Sequence, residues 1–214
     1  MKIHLAESPH WEELGEGFRR GLKRAVQSSY NEAASLLPFG SDHMNIFLQP
    51  REDRLIDETH DAAQIHVPEL IRFGFSPLHY GSYTAPEIRQ RVRETIFHEM
   101  NHDARLRVNP MPEDFRGIAI LEGLATVFER DYGGGEPLWS QYPPEVDDWM
   151  EEIGQLGEPV NYDEYMFNHP DGRKWIGYKV GTYIVDRAMK QSGESVIDLT
   201  RHVDYLDILN MAEA

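Results

Sequence analysis

The chain has 214 residues, no cysteine and a formal net charge of −16 at pH 7. The length suits one sizeable domain or two closely packed lobes. The absence of cysteine excludes disulfides and thiolate metal sites, and the acidic balance argues against nucleic acid as a partner, because phosphate binding requires clustered lysine and arginine. No apolar stretch approaches the length of a membrane span, and no basic start followed by an apolar run opens the sequence. We therefore expect a cytoplasmic protein with no membrane partner.

The first third of the chain predicts a small sheet and a long helical segment. Residues 2–6 alternate in polarity, as a short strand does, and residues 11–37 are rich in helix formers, which predicts one long helix or two. Residues 43–48 and 70–75 are bounded by proline and glycine and predict further strands. The polar stretch 49–68 predicts a loop with a short turn of helix.

The next predicted helix carries the most informative motif. Thr84-Ala85-Pro86-Glu87 has a threonine cap, a proline in the first turn and a glutamate at the capping-box position, and Asn109-Pro110 ends the helix. Between them lies His98-Glu99-Met100-Asn101-His102. Two histidines four residues apart lie on one helical face, so both can bind one zinc ion, and Glu99 beside them can polarise water. The alternative is two partly buried histidines with protein partners beside a surface glutamate.

Glu122 is the predicted third zinc ligand, because a catalytic zinc usually takes three protein ligands and leaves one position open for water. It lies twenty positions after His102 and is the only charged residue of a second helical pattern, residues 118–128. A lone carboxylate in an apolar run needs a partner, and Gly123 beside it would let another backbone approach closely. The alternative is an ion pair between Glu122 and an arginine such as Arg105.

The remainder of the chain predicts mainly helices. Residues 145–153 and 174–191 have helical patterns, whereas the stretch 133–144, rich in glycine and proline, predicts a hinge or a surface loop. Strands that come first and helices that follow favour an α+β fold, with a small N-terminal sheet packed on the helix of the HExxH motif and a mainly helical C-terminal part.

We expect a single domain over residues 1–214 that contains the zinc site. The alternative is two lobes, with the sheet and the zinc helices in 1–132 and helices in 133–214.

Taken together, the motifs resemble known metallopeptidases. His98-Glu99-x-x-His102 followed by Glu122 is similar to the gluzincin pattern of thermolysin-like metallopeptidases. The runs HEMNHDARLR, LEGLATVFE and WIGYKVGTYIV resemble the DUF2268 family of predicted zinc-dependent proteases, and the resemblance spans most of the chain. It implies a gluzincin-like fold, Glu122 as the third zinc ligand, and peptidase chemistry.

One position departs from the thermolysin-like pattern. Those enzymes have an aspartate four residues after the glutamate ligand, where it orients the first zinc histidine, and this chain has Thr126 instead. A zinc-bound histidine normally donates its second N–H to a carboxylate or a carbonyl. Glu129, on the same helical face as Glu122, is the predicted replacement, and a backbone carbonyl is the alternative.

Hydrolysis also needs a hydrogen-bond donor for the oxyanion that forms at the attacked carbonyl. Tyr178, between two glycines in the predicted C-terminal helix, is the first candidate, and core packing is its alternative role. His169, in the turn before that helix, is the second candidate, and a solvated loop histidine is the alternative.

The sequence thus predicts a zinc-dependent peptidase that acts on a peptide or protein substrate. The residues that carry the reaction are expected to be the zinc ligands His98, His102 and Glu122, the general base Glu99, and the oxyanion donor Tyr178 or His169. A non-catalytic zinc-stabilised binding or regulatory domain and a hydrolase of a non-peptide amide are the alternatives. The presence of Glu99 favours an enzyme, because a purely structural site has no need of a base and normally fills all four zinc positions with protein ligands.

Overall fold

The computed structural model describes residues 1–40, 43–157, 159–201 and 204–214. They form two compact units, Met1–Ala104 and Arg105–Ala214. The fold is α+β, as predicted, with a small four-stranded sheet and a mostly helical remainder. The packing of the sheet on the HExxH helix, the gluzincin likeness and the division into domains stay predictions. Among the described residues, no helix combines the length and the apolar composition needed to cross a bilayer.

The first unit holds the sheet. Its elements are β1 (Lys2–Leu5), α1 (His10–Leu36), β2 (Asn45–Pro50), β3 (Asp61–Val67), β4 (Leu70–Phe75), α2 (Pro77–Ser82) and α3 (Ala85–Val108). The last four residues of α3, 105–108, belong to the second unit. The strand order is β1-β2-β4-β3, in which β1, β2 and β4 are parallel and β3 runs antiparallel to β4.

Strand β3 lies in the stretch for which the sequence predicted a loop, so that prediction was wrong. Its sequence, DAAQIHV, has few of the branched and aromatic residues that mark a strand. The strand is held by its neighbour β4, where Ala63 lies opposite Phe73 and Ile65 opposite Ile71. Strand stability depends largely on such cross-strand pairs, which a single stretch of sequence does not reveal.

Helix α1 places an apolar face in the core of the first unit. Its backbone breaks at Gly15, where φ is 72°, so the predicted segment is one helical span with a kink near its start. Trp11 contacts the ring of Phe75 with centroids 5.8 Å apart and donates a hydrogen bond from Nε1 to the Ala6 carbonyl. Buried residues then recur at helical spacing at Leu22, Val26, Tyr30 and Ala33.

Two polar contacts hold α3 to the β3–β4 hairpin, one on either side of the HExxH motif. Near the start of α3, Arg91 Nη2 lies 3.6 Å from the buried carboxylate of Asp61, which also accepts a hydrogen bond from the Tyr80 hydroxyl. Near its end, Asp103 Oδ1 accepts a hydrogen bond of 2.9 Å from the backbone N–H of Glu69 in the hairpin turn.

The second unit is helical. Its elements are α4 (Phe115–Gly133), a 3₁₀ turn (Leu138–Ser140), α5 (Val146–Gly154), α6 (Tyr162–Met166), α7 (Ile176–Ser192), α8 (Val196–Thr200) and α9 (Tyr205–Glu213). Helix α4 starts earlier than predicted, because Asp114 caps it by accepting a hydrogen bond from the Gly117 N–H. Helices α6, α8 and α9 were not predicted. Helices α6 and α8 have five residues each, too few to show a clear helical period.

Candidate metal centre

His98 and His102 lie on one face of α3 with their Nε2 atoms directed at each other. The two nitrogens are 3.1 Å apart, and the rings are nearly perpendicular, at 81°. Two nitrogens on a tetrahedral zinc, each about 2.0–2.1 Å from the metal, are about 3.3 Å apart. The observed separation therefore fits a shared ion. It also fits a hydrogen bond in which one neutral imidazole donates to the other.

Glu122 is positioned by a close crossing of two helices in the second unit. A Cβ on Gly123 would lie 2.2 Å from the carbonyl carbon of Gly181 on α7, so α4 and α7 touch through their backbones at this point. The sequence-based expectation that Gly123 permits such an approach is confirmed. Glu122 itself is half-buried, between the buried residues Leu121 and Gly123.

Three of the predicted site residues form a group that could hold a metal ion. One ligand atom from each of His98, His102 and Glu122 lies within 4.8 Å of the others. Two imidazole nitrogens and one carboxylate oxygen are a donor set that suits zinc, and three protein ligands are the number that a catalytic zinc site provides. The residues present therefore fit zinc, and their assignment as its ligands stays a prediction.

Glu99 lies next to this group without belonging to it. It follows His98 on α3, and its side chain is buried, with 5% exposed, as is that of His102, with 6% exposed. A carboxylate is kept in such a place only where polar or charged neighbours stabilise it. The placement of Glu99 suits a base that acts on water beside a metal.

Arg105 is not the ion-pair partner of Glu122, which was the alternative to a zinc-ligand role for Glu122. Its Nη1 donates a hydrogen bond of 3.2 Å to the Thr200 carbonyl, and its guanidinium carbon lies 4.2 Å from the centre of the Tyr205 ring. Within the described residues, its Nε and Nη2 atoms have no hydrogen-bond partner. An ion pair between Arg105 and Glu122 is therefore absent from this part of the chain.

Two tyrosines that the sequence did not single out are influenced by the carboxylate of Glu122. Burial and then the charge of Glu122 raise the pKa of Tyr162, at the start of α6. Burial also raises the pKa of Tyr205, an effect that Arg105 opposes and Glu122 reinforces. The Tyr162 ring contacts Phe115, which lies seven residues before Glu122 and hence on the same face of α4, and 39% of Tyr162 is exposed. The sequence alone shows that Phe115 and Glu122 share a face of α4, but it does not show that Tyr162 packs against Phe115.

Tyr178 lies on α7 in an aromatic cluster. Its ring contacts Trp139 and Trp175, with centroids 5.8 Å apart in both pairs. Both tryptophans are buried, and Tyr178 is half-buried. These contacts correspond to the packing role that was the alternative for this residue. The role of Tyr178 as an oxyanion donor stays a prediction.

His169 is held by a loop that ends at α7. Its Nδ1 lies 2.8 Å from Asp171 Oδ1, and its ring contacts Tyr165. Hydrogen bonds from the backbone N–H of Arg173 and from the side chains of His169 and Arg173 lower the pKa of Asp171 to about 2. Arg173 in turn forms two hydrogen bonds with Glu152 on α5. His169 is thus an oriented histidine and not a freely solvated one.

The position that departs from the thermolysin-like pattern is buried. Thr126 is fully enclosed, and its hydroxyl has no hydrogen-bond partner within the described residues. Glu129, three residues further along α4, is also buried, with 4% exposed. A buried carboxylate on the same helix as Glu122 fits the predicted orienting role of Glu129, which stays a prediction.

Comparison with known proteins adds one finding. A family model described as "Predicted Zn-dependent protease (DUF2268)" matches residues 24–210. The curated proteins and the solved structures contain no match to the chain. The matched range includes the HExxH motif, Glu122 and the late helix that carries Tyr178, so the resemblance seen in the separate motifs is confirmed over most of the sequence.

Proposed function

The chain belongs to the DUF2268 family of predicted zinc-dependent proteases, and we propose that it is a zinc metallopeptidase of the gluzincin type that hydrolyses peptide bonds. Its substrate is a peptide or a protein, and its location is the cytoplasm. His98, His102 and Glu122 are the zinc ligands in this proposal.

The observation that carries the proposal is the group formed by His98, His102 and Glu122, whose ligand atoms lie within 4.8 Å of one another. The 3.1 Å separation of the two Nε2 atoms is consistent with it, because it is close to the separation on a tetrahedral zinc. Catalytic zinc sites typically have three protein ligands, drawn from histidines and carboxylates, whereas structural zinc sites have four protein ligands, commonly cysteines. This chain has no cysteine.

Zinc, when bound at such a site, polarises the substrate carbonyl and activates water for attack. Glu99 takes a proton from the attacking water and delivers it to the leaving amine, as general acid–base catalysis requires. Its position directly after the proposed ligand His98 on α3 supports this role, because a general base must lie within reach of the water that it deprotonates.

Three side chains are candidates for the donor that stabilises the oxyanion. Tyr178 and His169 are the two that the sequence indicates, and Tyr162 joins them because its phenol is influenced by the charge of Glu122. The phenol of Tyr162 is protonated at neutral pH, as that of any ordinary tyrosine is, and can therefore donate a hydrogen bond. Asp171 holds His169 by Nδ1 and leaves Nε2 as the atom that can face a substrate.

The alternatives are a zinc-stabilised binding or regulatory domain and a hydrolase of non-peptide amides. A binding domain has no use for a buried carboxylate next to three ligands, so the placement of Glu99 favours an enzyme. The amide hydrolase would use the same residues in the same roles, and only the substrate separates it from a peptidase.

The test compares zinc-loaded protein with chelator-treated protein on a mixed peptide library read by mass spectrometry. We expect cleavage by the zinc-loaded protein, loss of cleavage after chelation, and recovery when zinc is returned. Cleavage that does not depend on metal would contradict the proposal. Cleavage of non-peptide amides without any cleavage of peptides would support the amide hydrolase instead.

A further inference from the structure

A cleft of about 400 Å³ lies in the first unit, where the start of α1, helix α2 and the segment after β2 meet. Its lining combines apolar side chains with two carboxylates, and the described lining includes no lysine or arginine. The carboxylates are those of Glu13 and Glu52, and the apolar side chains include Leu14, Phe18 and Leu78. None of these residues belongs to the proposed zinc site.

The carboxylate of Glu52 is oriented by the residues that begin α2. Its Oε1 atom accepts a hydrogen bond of 3.0 Å from the Ser76 hydroxyl and one of 3.5 Å from the Leu78 N–H. Ser76 is buried, with 1% exposed, and caps α2 by accepting from the His79 N–H at 3.2 Å. Within the described residues, Oε2 of Glu52 has no hydrogen-bond partner and the carboxylate forms no ion pair. Glu52 therefore presents a held carboxylate with one open oxygen.

Glu13 supplies the second negative charge of the cleft. Its Oε2 atom lies 3.2 Å from His10 Nδ1, and 71% of its side chain is exposed. Its Oε1 atom has no partner within the described part of the chain. The whole chain has a net charge of −16, so both the distant field and the local carboxylates attract a cation.

The apolar part of the lining restricts the kind of cation. Leu14 and Phe18 are half-buried, and the Phe18 ring is held against that of Phe75, with centroids 6.0 Å apart. Leu78 is 74% exposed. A hydrated metal ion gains nothing from such side chains. A long side chain that has an aliphatic stem and a charged end can cover them and still reach the carboxylates.

We propose that this cleft binds an arginine side chain of a partner polypeptide. The stem of that arginine packs on Leu14, Phe18 and Leu78, and its guanidinium group donates to the open oxygens of Glu13 and Glu52. Arginine suits the cleft better than lysine, because its planar guanidinium is more weakly hydrated and has several donors in a fixed arrangement. The proposal does not depend on zinc or on the peptidase activity.

NMR spectroscopy of the leucine methyl groups of the full chain tests the proposal. The probe is an acetylated glycine-arginine-glycine peptide amide. One control peptide has citrulline in place of arginine, which keeps the shape and removes the charge, and another has lysine. We expect saturable shifts of the Leu14 and Leu78 methyl signals with the arginine peptide, none with the citrulline peptide, and weaker binding of the lysine peptide. Added salt should weaken the binding.

Equal affinity for the arginine and citrulline peptides would overturn the proposal, and so would shifts that spare Leu14 and Leu78. Equal affinity for the lysine peptide would overturn the assignment to arginine. Treatment with a chelator should leave the shifts unchanged, because no lining residue is a proposed zinc ligand. Loss of the shifts after chelation would place the peptide elsewhere and contradict the proposal.

Glu52→Gln and Glu13→Gln should each raise the Kd of the arginine peptide about twofold to fivefold, the usual effect of losing one exposed ion pair. The amide oxygen of Glu52→Gln can still accept from Ser76, so the variant should fold. Glu16→Gln is the matched control, because it removes the same charge from α1 at a residue that pairs with Arg20 and does not line the cleft. An equal loss of affinity in all three variants would attribute the binding to net charge and contradict the proposed site.

Discussion

Gly123 on α4 and Gly181 on α7 face each other backbone to backbone. A Cβ on Gly123 would lie 2.2 Å from the carbonyl carbon of Gly181, and a Cβ on Gly181 would lie 1.7 Å from the carbonyl oxygen of Ala119. No side chain fits at either position without a shift of one helix. Because Ala119 and Gly123 lie on either side of Glu122 along α4, this crossing supports the turn that carries the proposed third ligand.

Gly181→Ala should destabilise the protein by about 1–3 kcal/mol, the usual cost of overpacking a close contact, and should weaken zinc binding as α4 shifts. Gly21→Ala is the matched control, because the space around Gly21 in α1 is open and alanine is the better helix former there. Denaturant unfolding measures both variants. Equal stability of Gly181→Ala and the unmodified chain would show that the helices do not cross as described.

Replacement of any one proposed ligand should remove tightly bound zinc. We expect about one zinc per chain in the unmodified protein and strongly reduced occupancy at limiting metal in His98→Ala, His102→Ala and Glu122→Ala. His169→Ala is the control, and it should keep its zinc. Metal analysis after gel filtration checks this, and full occupancy in a ligand variant would exclude that residue from the zinc site.

The elements that the sequence predicted well are the ones with a long internal pattern. Helix α3 has a cap, an apolar period and a proline stop, and its observed range of Ala85–Val108 agrees with the prediction of residues 84–108. The predicted strand at 70–75 is β4. Strand β3 was not predicted, because its stability comes from its pairing with β4. The residues of β3 alone do not reveal this pairing.

For the candidate site too, features within one helix were predicted from the sequence, whereas features that depend on tertiary packing were harder to predict. The histidine pair could be predicted from the spacing of the two residues within one helix. The position of Glu122 near the histidines depends on tertiary structure, and Glu122 was predicted as a ligand only because it is a single charged residue in an apolar stretch. Tyr162 was missed because it starts a five-residue helix, and its relation to Glu122 depends on packing against Phe115. The orientation of His169 by Asp171 depends on the loop conformation, which the turn residues alone did not specify.

The oxyanion donor should be identified by single replacements that leave zinc in place. Loss of one such donor usually costs about 100-fold to 1,000-fold in kcat. We expect a loss of this size in one of Tyr178→Phe, His169→Ala and Tyr162→Phe, with little change in KM. Near-normal kcat in all three zinc-loaded variants would assign the role to another group.

The carboxyl group of Asp171 should titrate far below its ordinary pKa of 3.8, with a midpoint of about 2. Because the folded-state pKa is depressed, the stabilisation that Asp171 provides is present above about pH 4 and is lost as the pH falls toward 2. Carbon-13 NMR of the side-chain carboxyl measures the midpoint directly. A midpoint near 3.8 would show that the loop around Arg173 and His169 does not hold this carboxylate in solution.

In the proposed mechanism Glu99 acts as the base beside a zinc ion, and Glu99→Gln removes that base. Glutamine keeps the shape of the side chain but cannot take the proton, so the variant should fold, keep one zinc and lose at least about 100-fold in peptide hydrolysis. Glu94→Gln is the matched control, a buried glutamate on the same helix that accepts from Gln90 and pairs with Arg91, and it should keep its activity. Hydrolysis by zinc-loaded Glu99→Gln at the rate of the unmodified protein would show that Glu99 is not the base.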